Sequence, residues 1–240
     1  MKKSLIRTPQ EIENIKKAAR ATDAGFRFIL KKIELGISEK ELAKKLSKFL
    51  KKHSNGLAFR TIVAFGENSA EIHHKPNNRK LKINDTILMD FGVRVNGFCS
   101  DLSRTVFFGK TDNKQKEVYQ TVLRAQENAI EYLKSSIVNH KSAKASEVDR
   151  IARDYIVSKK YPPIPHGLGH GLGKKVHQAP RLSPSSKFFL KQGMIVTIEP
   201  GIYLKNFGVR IEDDVLIKEN GIEILTNSNK NLLVIDKISL

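Results

Sequence analysis

Thr86-Ile87-Leu88-Met89-Asp90-Phe91-Gly92-Val93-Arg94-Val95-Asn96-Gly97-Phe98-Cys99-Ser100-Asp101-Leu102-Ser103-Arg104-Thr105-Val106-Phe107 places two apolar, β-branched runs on either side of Asn96-Gly97. That dipeptide best suits a two-residue type I′ hairpin turn. With such a turn Val95 faces Phe98, and counting back sets Gly92 opposite Asp101. Opposed residues share a sheet face, as do residues two apart on one strand. Asp90 and Asp101 are therefore expected on one face as diagonal neighbours, about 7 Å apart at the backbone. Two carboxylates so placed on apolar strands repel each other unless a positive group lies between them. Turn-flanking aspartates on a half-solvated sheet would look the same in isolation, so matching ligands must come from elsewhere in the chain.

With 240 residues, 40% of them hydrophobic, the chain suits one large domain, expected to occupy residues 1–240. Its start, Met1-Lys2-Lys3-Ser4-Leu5-Ile6-Arg7-Thr8-Pro9, is basic but lacks the apolar core of a signal peptide. No run approaches the apolar length that spans a bilayer, so no membrane partner is expected. Cys99 is the one cysteine and has no intrachain partner, which suggests a buried thiol and a cytoplasmic location. The net charge of +18 comes mostly from lysine doublets such as Lys16-Lys17, Lys44-Lys45 and Lys51-Lys52. They fall on the polar sides of predicted helices, without the interleaved aromatics of a single-strand platform. Nucleic acid is accordingly not expected as the main partner.

Thr8-Pro9-Gln10-Glu11 is a capping-box helix start, followed by Ile12, Ile15, Ala19, Phe26, Ile29 and Ile33 at helical spacing as far as Gly36. Ser38-Glu39-Lys40-Glu41 opens a second helix with Leu42, Leu46 and Leu50 on one side. A strand is expected over 59–65, then a loop with His73 and His74 leading into the hairpin. Asp112 and Gln115 cap a third helix, and Val148, Ile151, Ala152 and Ile156 mark a fourth. The order of helix, helix, strand and hairpin thus begins again, suggesting two similar halves around one core. His166-Gly167-Leu168-Gly169-His170-Gly171-Leu172-Gly173 follows a proline run, so the dinucleotide fingerprint, which needs a strand feeding a helix, does not apply. Its glycines are expected to give backbone and substrate room around the histidines. Met194 to Glu199 and Gly208 to Ile217 form a second strand pair that brings Glu199 and Glu212 side by side. The rival reading makes Glu212-Asp213-Asp214 an acidic surface turn.

Four carboxylates and an imidazole make a hard, oxygen-rich site that suits two metal ions about 3.5–4 Å apart better than one. Such a pair holds a bridging water and presents hydroxide to a carbonyl. No His-Glu-x-x-His helix of the single-zinc design is present.

Asp90, Asp101, His170, Glu199 and Glu212 stand in the order and context of the pita-bread metallopeptidases, which include methionine aminopeptidases, Xaa-Pro aminopeptidases and prolidases. The wording resembles the Xaa-Pro branch: Met89-Asp90-Phe91-Gly92, Cys99-Ser100-Asp101-Leu102-Ser103-Arg104-Thr105, His166 to Gly171, Glu199-Pro200-Gly201-Ile202-Tyr203 and Gly208 to Asp214. The resemblance implies an α+β pita-bread fold of two pseudo-symmetric halves, with antiparallel sheets covered by helices. It implies two divalent ions, manganese being favoured and cobalt, iron or zinc also suited. Asp90 would bind one ion, His170 and Glu199 the other, and Asp101 and Glu212 both. The implied reaction is hydrolysis of the bond between an N-terminal residue and a following proline. In it Glu199 moves the proton, His177 steadies the oxyanion and His73 orients the substrate amide. His166, Tyr203 and Arg210 match secondary positions, and His74 is expected to be a bystander. Ile72 stands where proline is common. The N-terminal domain usual in Xaa-Pro enzymes is expected to be absent, leaving the oligomeric state open between monomer and homodimer. The alternatives are a methionine aminopeptidase and a noncatalytic peptide-binding module on the same fold.

Overall fold

A computed structural model describes residues 5–139 and 143–236. Four helices carry the scaffold: α1 (Pro9–Leu30), α2 (Glu39–Lys52), α3 (Asn113–Val138) and α4 (Ala145–Ser158). Thr8, Ser38 and Asp112 each close a capping box with the residue three positions on, Glu11, Glu41 and Gln115. The first helix stops at Leu30 rather than running to Gly36, because the Lys31 N–H turns back to the carbonyls of Ile29 and Phe28. Ile33 is buried all the same, just past the turn at Lys31 and Lys32.

The strands are β1 (Ile62–Phe65), β2 (Thr86–Phe91), β3 (Arg94–Val95), β4 (Phe98–Cys99), β5 (Leu102–Phe108), β6 (Ala143–Lys144), β7 (Gly169–Gly171) and β8 (Gln178–Leu182). They continue with β9 (Phe189–Leu190), β10 (Ile195–Ile198), β11 (Gly201–Tyr203), β12 (Gly208–Arg210), β13 (Asp213–Lys218), β14 (Gly221–Ile224) and β15 (Val234–Ile235). The strand expected over 59–65 pairs only from Ile62. One sheet has the order β1-β2-β5-β15 and the other β14-β13-β10-β7-β8. The second sheet is antiparallel throughout, and in the first only β15 runs parallel to its neighbour. Helices α1 and α2 cover the first half, where Phe26, Leu46 and Leu50 pack with Val63, Ile87 and Met89. Val122, Ala129, Val148 and Ile156 of α3 and α4 pack with Val196, Val209 and Val215 of the second. Among the described residues no helix is long and apolar enough to cross a membrane.

The two central hairpins are built alike. In the first, Asp90 pairs with Ser103 and Phe91 with Leu102, while beyond a gap Arg94 pairs with Cys99 and Val95 with Phe98. Asn96 and Gly97 both take positive φ, 50° and 81°, as a type I′ turn requires. The register is continuous across the gap, so Gly92 lies opposite Asp101, as read from the sequence. In the second hairpin Ile198 pairs with Asp213 and Gly201 with Arg210, and the continuous register sets Glu199 opposite Glu212. Both ladders are interrupted where ligand-type carboxylates leave them.

Gly92 shows why the first ladder opens. A Cβ there would overlap the Ser100 carbonyl, so strand backbones approach at this gap more closely than any other residue allows. Gly92→Ala is expected to destabilise the protein by about 1–3 kcal/mol, the cost of overpacking a filled interior, read from its urea unfolding midpoint. An unchanged midpoint would contradict this packing.

Candidate metal centre

The hairpins meet face to face. Glu212 N–H donates to the Ser103 carbonyl at 3.1 Å, Thr105 Oγ1 donates to the Arg210 carbonyl at 3.0 Å, and Asp101 N–H donates to Asp214 Oδ2 at 3.1 Å. Asp90 and Asp101 are thereby brought from one half to Glu199 and Glu212 from the other, with His170 on β7 completing the set. Ligand-type atoms of His170, Glu199 and Glu212 lie within 4.8 Å of one another, as do those of Asp90, Asp101 and Glu212. Glu212 belongs to both groups. Asp101, His170 and His177 form a third. His170 Nε2 is 3.3 Å from Glu199 Oε1 and 3.7 Å from Asp101 Oδ2.

Electrostatically this arrangement is costly for the protein alone. Burial, then repulsion from Glu212 and Asp90, holds Asp101 well above the usual carboxylate range. Burial, with Glu199 and Asp90 nearby, does the same to Glu212. Burial pushes Glu199 up to about 8, against the opposing pull of Arg210. Burial and the neighbouring His177 push His170 down to about 3, so its ring is neutral. With His170 Nδ1 donating to the Gly171 carbonyl at 3.3 Å, the Nε2 lone pair faces the carboxylates. Asp90 Oδ1 and Asp101 Oδ1 are buried with no hydrogen-bond partner among the described residues. Buried acceptors are ordinarily satisfied. Orphaned oxygens converging beside a neutral imidazole are the donor set that divalent cations require, so these residues fit a metal centre.

The surroundings hold these side chains in place. Arg210 is buried and donates from Nη2 to Asp90 Oδ2 at 2.6 Å, from Nε to Ser103 Oγ and from Nη1 to Tyr203 Oη, both at 2.9 Å. Ser103 Oγ in turn donates to Glu212 Oε2 at 2.7 Å. Tyr203 Oη and His166 Nε2 are 2.9 Å apart; burial pushes His166 down to about 4, leaving it neutral to accept from the phenol. Thr197 Oγ1 donates to Glu199 Oε1 at 3.3 Å and accepts from the His170 N–H. Ser103, Thr197 and Asp214 escaped the sequence reading, yet each stands two residues from a candidate ligand and so on the same strand face. Strand alternation was the signal for all three. Gln126, buried on α3, donates to the carbonyls of Ile198 and Ile211, the residues just before Glu199 and Glu212. Its helix position gave no such hint.

A cavity of about 570 Å³ opens over these groups and is also lined by His73, His166, His177, Arg181, Arg60 and Phe59. The His170 and His177 rings meet edge to face with centroids 4.4 Å apart. The rival reading of the second strand pair fails. Glu212, Asp213 and Asp214 are buried rather than an acidic surface turn, because Asp213 pairs with Arg104 and Asp214 accepts from Asp101. The glycines around His170 give backbone its room, as expected: a Cβ at Gly169 or Gly171 would overlap the carbonyl of Thr197 or Ala179 on the adjoining strands. His74, expected to be a bystander, is buried, with Nε2 2.7 Å from Glu39 Oε2 and Nδ1 2.7 Å from Glu71 Oε2.

A folded state that binds more protons than the unfolded chain loses stability as pH rises. Glu199, at about 8 rather than 4.5, and Asp101 and Glu212, both also raised by burial, put the metal-free protein in that regime. Above about pH 7 the ordinary imidazoles have already titrated, so their opposing contribution is spent. The thermal midpoint of chelator-treated protein is expected to fall between about pH 7 and 9. Added divalent ion should flatten that slope and release protons, measurable by calorimetry in two buffers. A midpoint rising over the same range would refute the assignment of strained carboxylates.

The sequence profile of metallopeptidase family M24 matches residues 13–219. An uncharacterised peptidase of Staphylococcus haemolyticus is 40% identical over 228 residues, which cover 94% of this chain and 63% of that protein. Among solved structures, a dipeptidase from Pyrococcus horikoshii OT3 is 38% identical with a TM-score of 0.90, covering 96% of this chain and 64% of that one. An X-Pro aminopeptidase from Thermotoga maritima is 37% identical, with the same TM-score and coverage. A prolidase from Pyrococcus furiosus is 37% identical with a TM-score of 0.86, covering 94% of this chain and 66% of that one. The chain therefore spans a little under two thirds of the length of the curated relative. With the profile covering most of its residues and these likenesses extending over nearly all of them, the chain belongs to metallopeptidase family M24.

Proposed function

We propose that this chain is the catalytic portion of a metal-dependent exopeptidase that hydrolyses the bond between an N-terminal residue and a following proline. The observation that carries the reading is the convergence of four carboxylates and one neutral imidazole, two of the oxygens orphaned, at the floor of a histidine-lined cavity. Similarity to a prolidase and an X-Pro aminopeptidase over nearly the whole chain supports the choice of substrate.

Asp90, Asp101, His170, Glu199 and Glu212 would hold two divalent ions, with manganese favoured by the oxygen-rich set. Bound there, the ions supply Lewis-acid chemistry, acidifying a water and polarising the scissile carbonyl. Glu199, ionised as a metal ligand must be, takes the proton of the attacking water and delivers it to the leaving imino nitrogen. His177 donates to the carbonyl oxygen as negative charge gathers on it. His73, which also lines the cavity, fixes the substrate amide. Arg210, anchored by Ser103 and Tyr203, keeps Asp90 aimed at the site. The substrate partner is thus a peptide with proline in second place.

Metal-dependent hydrolysis of an Xaa-Pro dipeptide, an Xaa-Pro-Yaa tripeptide and a Met-starting peptide tests the reading directly. The Xaa-Pro substrates are expected to be cleaved and a chelator to stop the reaction. Glu199→Gln should lower kcat by roughly 100-fold or more, the scale of a lost general acid–base group, with the fold retained by circular dichroism. Fast cleavage of the Met-starting peptide alone would overturn the substrate choice.

A further inference from the structure

In the second half of the molecule, α4 holds the loop of an active-site histidine through a charge pair. Arg153 grips Asp149 at 2.9 Å through both Nε and Nη2, and donates to the carbonyls of Ile164 and His166. Asp149 also accepts from the Leu168 N–H at 3.0 Å.

The first half has a counterpart on α2. Glu39 is fully buried, and its two oxygens accept from the N–H groups of Phe65 and Asn77, the Asn68 amide and the His74 ring. It thus holds the loop carrying His73 at both ends and in the middle. The cation in this clasp is His74. Both of its nitrogens lie 2.7 Å from carboxylate oxygens, Nε2 from Glu39 and Nδ1 from Glu71. A neutral imidazole has one N–H and one lone pair, and a lone pair facing a carboxylate at that distance is repelled. Both nitrogens must therefore donate, which makes the ring an imidazolium. Burial alone would lower its pKa, but the hydrogen bonds to Glu71 and Glu39 outweigh it and leave the value raised. Among the described residues, those two carboxylates are the charged groups in hydrogen-bond contact with the ring.

His73 has no such support of its own. Its side chain is exposed, lines the cavity and makes no hydrogen bond among the described residues. Its position is that of the backbone next to His74. We infer that His74 is a positioning residue: clasped as an imidazolium between Glu39 and Glu71, it sets the place of His73 in the cavity. The inference rests on the reading of His73 as a substrate contact.

A double-mutant cycle on kcat/KM for an Xaa-Pro peptide tests it, using His73→Ala, His74→Gln and both together. His74→Gln keeps a polar side chain of similar length but cannot donate in two directions. Each single change is expected to lower kcat/KM by about ten- to a hundredfold, the scale of a misplaced contact. The double variant should be no worse than His73→Ala. Multiplying losses in an active enzyme would show that His74 acts apart from His73 and overturn the inference. Nitrogen-15 NMR of histidine-labelled wild type gives an answer that needs no activity and no folded variant. A His74 ring with both nitrogens protonated at pH 7 supports the clasp, and a ring carrying one proton there overturns it. Wild-type protein inert to every Xaa-Pro peptide while His74 shows two ring protons would instead sink the functional reading.

Discussion

Mutual repulsion among buried carboxylates is the constraint on which this structure turns. Two unit charges 4 Å apart repel by on the order of 4 kcal/mol even at an effective dielectric of 20. Here Asp90, Asp101, Glu199 and Glu212 crowd together with one arginine, Arg210, in direct contact with the set, and it reaches a single oxygen of Asp90. Such a cluster persists only if the backbone beneath it cannot yield. The chain meets that need with strands whose registers run unbroken through the gaps and with hydrogen bonds that stitch one hairpin to the other. Burial, and after it mutual repulsion, holds Asp101 and Glu212 above the usual carboxylate range, a cost that bound cations would relieve.

Each gap in a ladder leaves backbone groups unpaired, and each is attended by the first helix of its own half. Thr22 on α1 shares a 2.6 Å hydrogen bond with Ser100 Oγ, which accepts from the Val93 N–H inside the first gap. Gln126 on α3 donates to Ile198 and Ile211 at the second. Thr22 and Gln126 stand equally far along the chain from their N-caps, Thr8 and Asp112. The two halves therefore repeat the device that satisfies an interrupted ladder as well as the order of their elements. Interruption is what turns carboxylates out of the sheet, and the helix polar group keeps it from exposing unsatisfied backbone in the core.

Much of this was legible because it follows from local rules. Asn96-Gly97 fixed a turn, the turn fixed the register, and the register placed Asp90 and Asp101 on one face before any tertiary information was used. The three capping boxes located the starts of α1, α2 and α3 in the same way. What stayed hidden depends on contacts distant in sequence. Nothing near Glu39 or His74 says that they meet, because 35 residues separate them. Likewise Arg104 and Asp213 pair on the face away from the ligands, where strand alternation says only that they point elsewhere. The end of α1 was misplaced because Ile33 is buried whether or not the helix continues, so periodicity alone could not find the stop.

The groups around the cavity divide by the rigidity of what carries them. The five proposed metal ligands lie on strands or within the gaps of continuous ladders, where hydrogen bonds on either side fix the backbone. His73, His166 and His177 lie outside the ladders, and side chains placed on loops are held less tightly than those on regular elements. Two of those three positions are compensated, since Glu39 with His74 holds the first loop and Asp149 with Arg153 the second. His177 directly precedes β8, is exposed, and takes its order from the edge-to-face contact with His170. A group that must follow charge developing on a substrate oxygen gains from some freedom of approach, whereas ligands that must oppose their own repulsion gain none. The grading of support, from ladder to clasped loop to free edge, therefore follows the work proposed for each group.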